Sequence, residues 1–145
     1  MRRMYDEGEK RSAGGRSMSR KDILCRVRTQ VMLVRRLNGQ IREVSADGLR
    51  SLRLDGAPRK TSGIYRGLDV RMEKKEAMER MLRRESEILR QYEREARREM
   101  DGMKPEHYAF CAMYYIGGFS LEETAEALER SARQCARYKH EIEAA

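Results

Sequence analysis

The sequence predicts an all-α protein, a long antiparallel helical hairpin followed by a C-terminal helix-turn-helix, and three observations carry that expectation. Ile23, Val27, Gln30, Val34, Leu37, Ile41 and Val44 alternate three- and four-residue steps, the spacing of a helical seam. Residues 68–100 contain no Gly or Pro and are dense in Glu, Arg, Met and Leu, all good helix formers. After Met103, two serines stand where helix caps belong, downstream of a Gly117-Gly118 break.

Residues 1–18 are polar, carry Gly8, Gly14 and Gly15, and offer little to bury, so a disordered basic tail is expected. Its functional alternative is an arm lying on phosphates through Arg2, Arg3, Lys10, Arg11 and Arg16. Met18 is a candidate start, because the first helix begins directly after it. The hairpin is expected over 19–102. Its first helix runs from about 19 to 46, with Ser19 as cap and Asp22 three residues on. Leu24, Val31 and Leu33 widen its stripe, and Asn38-Gly39 is the point where it is weakest.

Residues 47–67 read as a connector, since Asp47-Gly48, Asp55-Gly56, Pro58, Ser62-Gly63 and Gly67 punctuate them closely. Arg50, Arg53, Arg59, Lys60 and Arg66 make that connector either a phosphate-contacting loop or a plain crossover. The second helix, 68–100, places Leu68, Met72, Met78, Met81, Leu82, Ile88, Leu89, Tyr92, Ala96 and Met100 in one stripe. Glu76–Arg80 and Glu79–Arg83 pair on its exposed face. The methionines suit a core or a dimer seam, so a homodimer through the hairpin is one partner expectation.

The region 103–145 is expected to form the helix-turn-helix. Pro105 suits the first turn of a helix, where its missing N–H costs nothing. Gly117-Gly118 stops that helix, and Phe119 packs at the turn. Ser120 with Glu123 makes a capping box for the helix from Leu121 to about Leu128. Small Ala125 permits a close helix crossing, and Ser131 caps the last helix. With Cys135, Tyr138 and Ile142 inward, Ala132, Arg133, Ala136, Arg137 and His140 lie outward. A helix in the major groove reads bases with its N-terminal half. Arg133 and Arg137 then suit guanine, Gln134 adenine or a phosphate, and His140 extends the base-reading set. Ser120, Arg130, Ser131 and Lys139 are the phosphate-holding set, helped by the free N–H groups at the two helix N-termini.

Composition fits such a reading. Of 145 residues, 39% are charged and 6% aromatic, with no Trp, which suits long solvated helices better than one large core. A net charge of +8 favours a polyanionic partner. Cys25, Cys111 and Cys135 form no C-x-x-C pair, which argues against a disulfide framework or zinc ribbon and points to a reducing cytosol. No apolar run approaches the ~18 residues of a membrane span, and the N-terminus lacks a signal-peptide core.

The stretch Tyr115-Ile116-Gly117-Gly118-Phe119-Ser120-Leu121-Glu122-Glu123-Thr124-Ala125-Glu126-Ala127-Leu128, followed by Ser131 and Arg137, resembles the promoter-reading C-terminal domain of sigma factors (region four). With the helical arm and Leu54-Asp55-Gly56-Ala57-Pro58-Arg59, the chain more closely resembles phage late-transcription regulators of the ArpU and RinA type. The resemblance spans roughly residues 20–145 and is strongest over 105–138. It implies a cytoplasmic, DNA-binding transcription activator of a phage or prophage, without enzymatic activity. Glu129 and Arg130 stand where such turns usually carry Gly and an apolar residue, and Thr124 and Cys135 where Ile and Val are common.

No catalytic set is spaced for chemistry: only His107 and His140 are present, with no Ser/His/Asp constellation or phosphate-cradling Gly loop. His107 and Cys111 share a helix face at i,i+4, but two ligands do not make a metal site. No cofactor or metal is expected. The partners expected are double-stranded DNA and RNA polymerase. Rival readings are a sigma-like module that binds polymerase or another protein, and the small DNA-recognition subunit of a phage packaging terminase.

Overall fold

The computed structural model describes residues 18–54 and 61–145, the side chains of 47–54, 61–66 and 68 excepted. The tail 1–17 and residues 55–60 of the connector, with the basic contacts expected there, lie outside the described residues. All described elements are helical. They are α1 (Arg20–Leu54), α2 (Thr61–Met100), α3 (Pro105–Cys111), a π-helical turn (Ala112–Ile116), α4 (Leu121–Ala127) and α5 (Ala132–Ala144). Among the described residues no helix is long and apolar enough to cross a membrane.

Ser19 caps α1 as expected, its hydroxyl accepting from the Asp22 N–H at 3.2 Å. The helix then passes through Asn38-Gly39 and Asp47-Gly48 to end at Leu54, and α2 starts at Thr61 rather than near 68. A glycine inside a helix costs only about 1 kcal/mol relative to alanine. Flanks rich in Leu and Arg outweigh that, so glycine spacing overstated the connector. A Cβ at Gly39 or Gly67 would meet nothing within 4 Å, so neither glycine serves a close approach.

The chain divides into two compact units, Gln30–Arg90 and a second made of Gln91–Ala145 with the described residues up to Thr29. In the first, Val31 and Leu37 are buried, and so is Gln30, the one polar member of the α1 seam. Its amide donates to the Glu85 main-chain oxygen at 2.9 Å and to Glu85 Oε2 at 2.6 Å, so the buried polar group is satisfied. The half-buried row of α2 runs through Arg71, Lys75, Met78, Leu82, Glu85 and Leu89. Met72 and Met81, expected in the buried stripe, lie beside this row and are 57% and 41% exposed. One residue is 100° of helix rotation, enough to move a side chain out of a seam. The surface pairs are Lys75–Glu79, Glu87–Arg90 and Glu93–Arg97 rather than Glu76–Arg80 and Glu79–Arg83; each contributes at most about 1 kcal/mol.

In the second unit the first turns of α1 run antiparallel to the last turns of α2, with Arg20 opposite Glu99 and Arg26 opposite Glu95. Arg26 also stacks on Tyr92, 4.1 Å from the ring centroid. Leu24, Val27, Ala96 and Met100 are buried here together with Phe110, Tyr115 and Tyr138 of the C-terminal segment. Phe110 lies at the middle of an aromatic group, stacked on Tyr114 at 5.1 Å and edge-on to Tyr115 and Tyr138. Such pairs add about 0.5–1.5 kcal/mol beyond burial.

Candidate nucleic-acid interface

The C-terminal elements follow from local chemistry. Pro105 opens α3, with Lys104 extended before it. The chain then widens into a π turn, where the Gly117 N–H reaches Ala112 O at 2.8 Å and the Phe119 N–H reaches Met113 O at 3.1 Å. The two glycines do different work: Gly117 lets the backbone approach Met113 O, and Gly118 takes φ 72°. Phe119 lays its ring against Gly117 yet stays partly exposed.

Arg28 of α1 ties this turn down. Its guanidinium lies 3.9 Å from the centroid of the Tyr114 ring and donates to the carbonyls of Tyr114 and Phe119. A cation on outward-pointing carbonyls complements the negative end of the helical segment. Tyr115, fully buried, donates its hydroxyl to Glu143 Oε1 at 2.9 Å. Burial first, then the Glu143 carboxylate, pushes the Tyr115 phenol well above its ordinary range.

α4 begins with the expected capping box: Ser120 Oγ accepts from the Glu123 N–H, and Glu123 Oε1 from the Ser120 N–H, both at 3.1 Å. Thr124, fully buried, donates its hydroxyl to Ser120 O at 2.8 Å. The end of α4 is a Schellman turn. The Arg130 N–H bonds Ala125 O at 2.9 Å, the Glu129 N–H bonds Glu126 O at 3.2 Å, and Glu129 sits at φ 56°. The left-handed position is the one glycine usually fills. Glu129→Gly is therefore expected to stabilise the fold by about 0.5–1 kcal/mol, read as a small rise in thermal midpoint. Glu129→Ala keeps the Cβ and should give no such gain; equal gains from both would locate the effect in charge, not backbone.

Ser131 caps α5, its Oγ accepting from the Gln134 N–H at 3.1 Å, and no acidic residue stands in the first turn. The positive helix end and Arg133 therefore add rather than cancel. Cys135, Tyr138 and Ile142 face the core, and Arg133, Ala136, Arg137 and His140 are exposed. Ser131, Arg133, Gln134 and Arg137 line one open depression of about 490 Å³. That brings together four of the eight residues expected to touch DNA.

The other four are distributed around it. Arg130 is exposed in the turn, and His140 is exposed two turns along α5 from Arg133. Ser120 sits at the start of α4, its hydroxyl used in the cap. Lys139 is on the flank of α5, half-buried, with its ammonium 5.8 Å from the Tyr114 centroid. Gln134 is half-buried and donates to the Tyr138 hydroxyl at 3.1 Å, so one amide hydrogen is already committed. Arg28 and Glu141 escaped sequence reading, and His107 was read there only beside Cys111, not beside Glu141. The i,i+4 spacing of Arg137 and Glu141 was the one available signal.

His107 and Cys111 do not converge. His107 Nε2 pairs with Glu141 Oε2, while the Cys111 thiol faces Met103 Sδ at 3.8 Å. Burial pushes that thiol up to about 12, away from the thiolate form that metals and nucleophilic chemistry need. Among the described residues no three His, Cys, Asp or Glu side chains are placed to share a metal ion. Compared with known proteins, the chain matches no family model, no curated protein and no solved structure.

Proposed function

We propose that the chain is a sequence-preferring DNA-binding regulator of transcription, of the phage or prophage late-activator type, working in the host bacterial cytosol. α4 and α5 act as a helix-turn-helix, α1 and α2 as a long antiparallel hairpin that carries it, and α5 enters the major groove. The observation that carries this reading is the clustering of Arg133, Gln134 and Arg137 around the capped, positively polarised N-terminus of α5. Arg133 and Arg137 take base edges, with Gln134 and His140 beside them, and Arg130, Ser131, Ser120 and Lys139 are the phosphate-holding set. The sparse face, with alanines at 132 and 136, favours a second copy or an RNA polymerase contact as support. The reading involves no enzymatic step and no cofactor.

The test begins with DNA fragments enriched from a random pool by the full chain. Arg133→Ala/Arg137→Ala is expected to lower affinity for the enriched duplex at least tenfold, since each bidentate contact is worth about 1–3 kcal/mol. The helical circular-dichroism signal should not change. Wild-type affinity should fall steeply with salt, as phosphate contacts require. Unchanged binding by the double variant would remove α5 from the groove.

A second reading, a sigma-like module that docks on polymerase or another protein, is favoured by one feature. Met113, Phe119, Glu123, Glu126 and Ala127 line a groove of about 340 Å³ that carries carboxylates, not basic groups. Salt-insensitive polymerase binding without duplex binding would select it. A large ring in sedimentation would select the packaging-subunit alternative instead.

A further inference from the structure

Arg133 has no ion-pair partner among the described residues, whereas the other candidate base-reading arginine is already held. Arg137 Nε lies 3.6 Å from Glu141 Oε1, one helical turn further along α5. The second oxygen of that carboxylate, Oε2, lies 2.9 Å from His107 Nε2 on α3. His107 is itself packed edge-on against the Tyr138 ring at 5.5 Å, and its side chain is only 16% exposed. The chain of contacts thus runs from the buried aromatic group, through an imidazole and a carboxylate, to a guanidinium that is 66% exposed.

An isolated exposed i,i+4 ion pair adds little stability, so the effect to look for here is orientation. With the carboxylate beside Nε, the two Nη groups of this exposed side chain remain for a ligand, and such a fork can meet guanine O6 and N7. A side chain held before contact loses less rotamer freedom on binding. The same carboxylate repels phosphates, so it weakens binding to DNA in general while favouring the one base edge that Arg137 fits. We propose that Glu141, anchored by His107, is a specificity-determining positioning residue that presets Arg137 for a guanine edge in duplex DNA. This rests on the DNA-binding reading above.

The experiment measures binding of the full chain, Glu141→Ala and Glu141→Gln to a duplex enriched by the wild type and to a shuffled duplex of equal composition. For Glu141→Ala, affinity for the enriched duplex should fall about tenfold, the lower range of one bidentate base contact, while affinity for the shuffled duplex holds or rises. Glu141→Gln retains an oxygen for Arg137 and should restore most of the enriched-to-shuffled ratio. His107→Gln, which keeps a donor for Glu141, should also retain it. Reselection with Glu141→Ala should lose a guanine preference at one position. The ratio cancels any change in folded fraction, which scales both affinities alike. Equal factors on both duplexes for Glu141→Ala, or no rescue by Gln, would overturn the proposal. Failure of the wild type to enrich any sequence would instead overturn the DNA reading, and this inference with it, before a variant is made.

Discussion

Leu24→Ala is expected to destabilise the unit that carries α5 by about 2–5 kcal/mol, although residue 24 lies in the first helix of the chain. Leu24 is fully buried, and its neighbours on α1 reach into the C-terminal segment. The Cys25 thiol faces Glu143 Oε1 at 3.8 Å, and Arg28 donates to the carbonyls of Tyr114 and Phe119. Truncation to alanine removes apolar contacts and leaves a cavity that surrounding helices close only in part. For a unit of this size the thermal midpoint should drop by ~10 °C or more, followed by far-ultraviolet circular dichroism and by tyrosine fluorescence. Met32→Ala, at an exposed position on the same helix, should stay within about 0.5 kcal/mol of wild type. A Leu24→Ala midpoint as little changed as that of Met32→Ala would mean that the start of α1 does not belong to this core. The functional consequence is that a C-terminal fragment alone lacks part of its own interior.

That dependence also marks the limit of what the residues disclose one by one. Ser19, Ser120 and Ser131 were legible because a cap acts over three residues: a hydroxyl, an N–H three positions on, and in one case a returning carboxylate. The buried face of α1 was legible from its three- and four-residue steps, Gln30 included. The helix ends at Leu54 and Thr61 were not, since glycine and Asp-Gly signals compete with good helix formers at a cost of only ~1 kcal/mol. The row of α2 was legible in part: Met78, Leu82, Ile88, Leu89, Tyr92, Ala96 and Met100 are buried or half-buried as expected, whereas Met72 and Met81 lie beside it.

Within the candidate site the split is the same. The outward face of α5 followed from inward Cys135, Tyr138 and Ile142, all buried as expected. Gln134, half-buried, meets the Tyr138 hydroxyl, and the carboxylate beside Arg137 also meets His107 of α3. Contacts of that range leave no periodic signature. They decide how a side chain is presented, while local patterns decide only which side it is on.

Gly117→Ala should cost about 2–3 kcal/mol, because the added Cβ would lie 2.6 Å from the main-chain oxygen of Met113 and 3.0 Å from two carbons of the Phe119 ring. The ring can rotate away, but a backbone oxygen can move only with its peptide, and overpacking of this kind typically costs 1–3 kcal/mol. The oxygen in question also accepts the Phe119 N–H at 3.1 Å, so relief of the clash breaks a bond that forms the turn. Displacing Phe119 further disturbs the carbonyl that Arg28 holds at 2.7 Å. Gly39 provides the opposite sign: its Cβ would meet nothing within 4 Å inside α1. Gly39→Ala should therefore stabilise by about 0.5–1 kcal/mol through backbone entropy. Thermal or urea unfolding of the two variants side by side measures both. Stabilisation by alanine at 117 would mean that the π turn relaxes freely, and that the break before α4 sets nothing. A loss at 117 with a gain at 39 would identify the Gly117 contact as the rigid joint between α3 and the helix pair proposed to meet DNA.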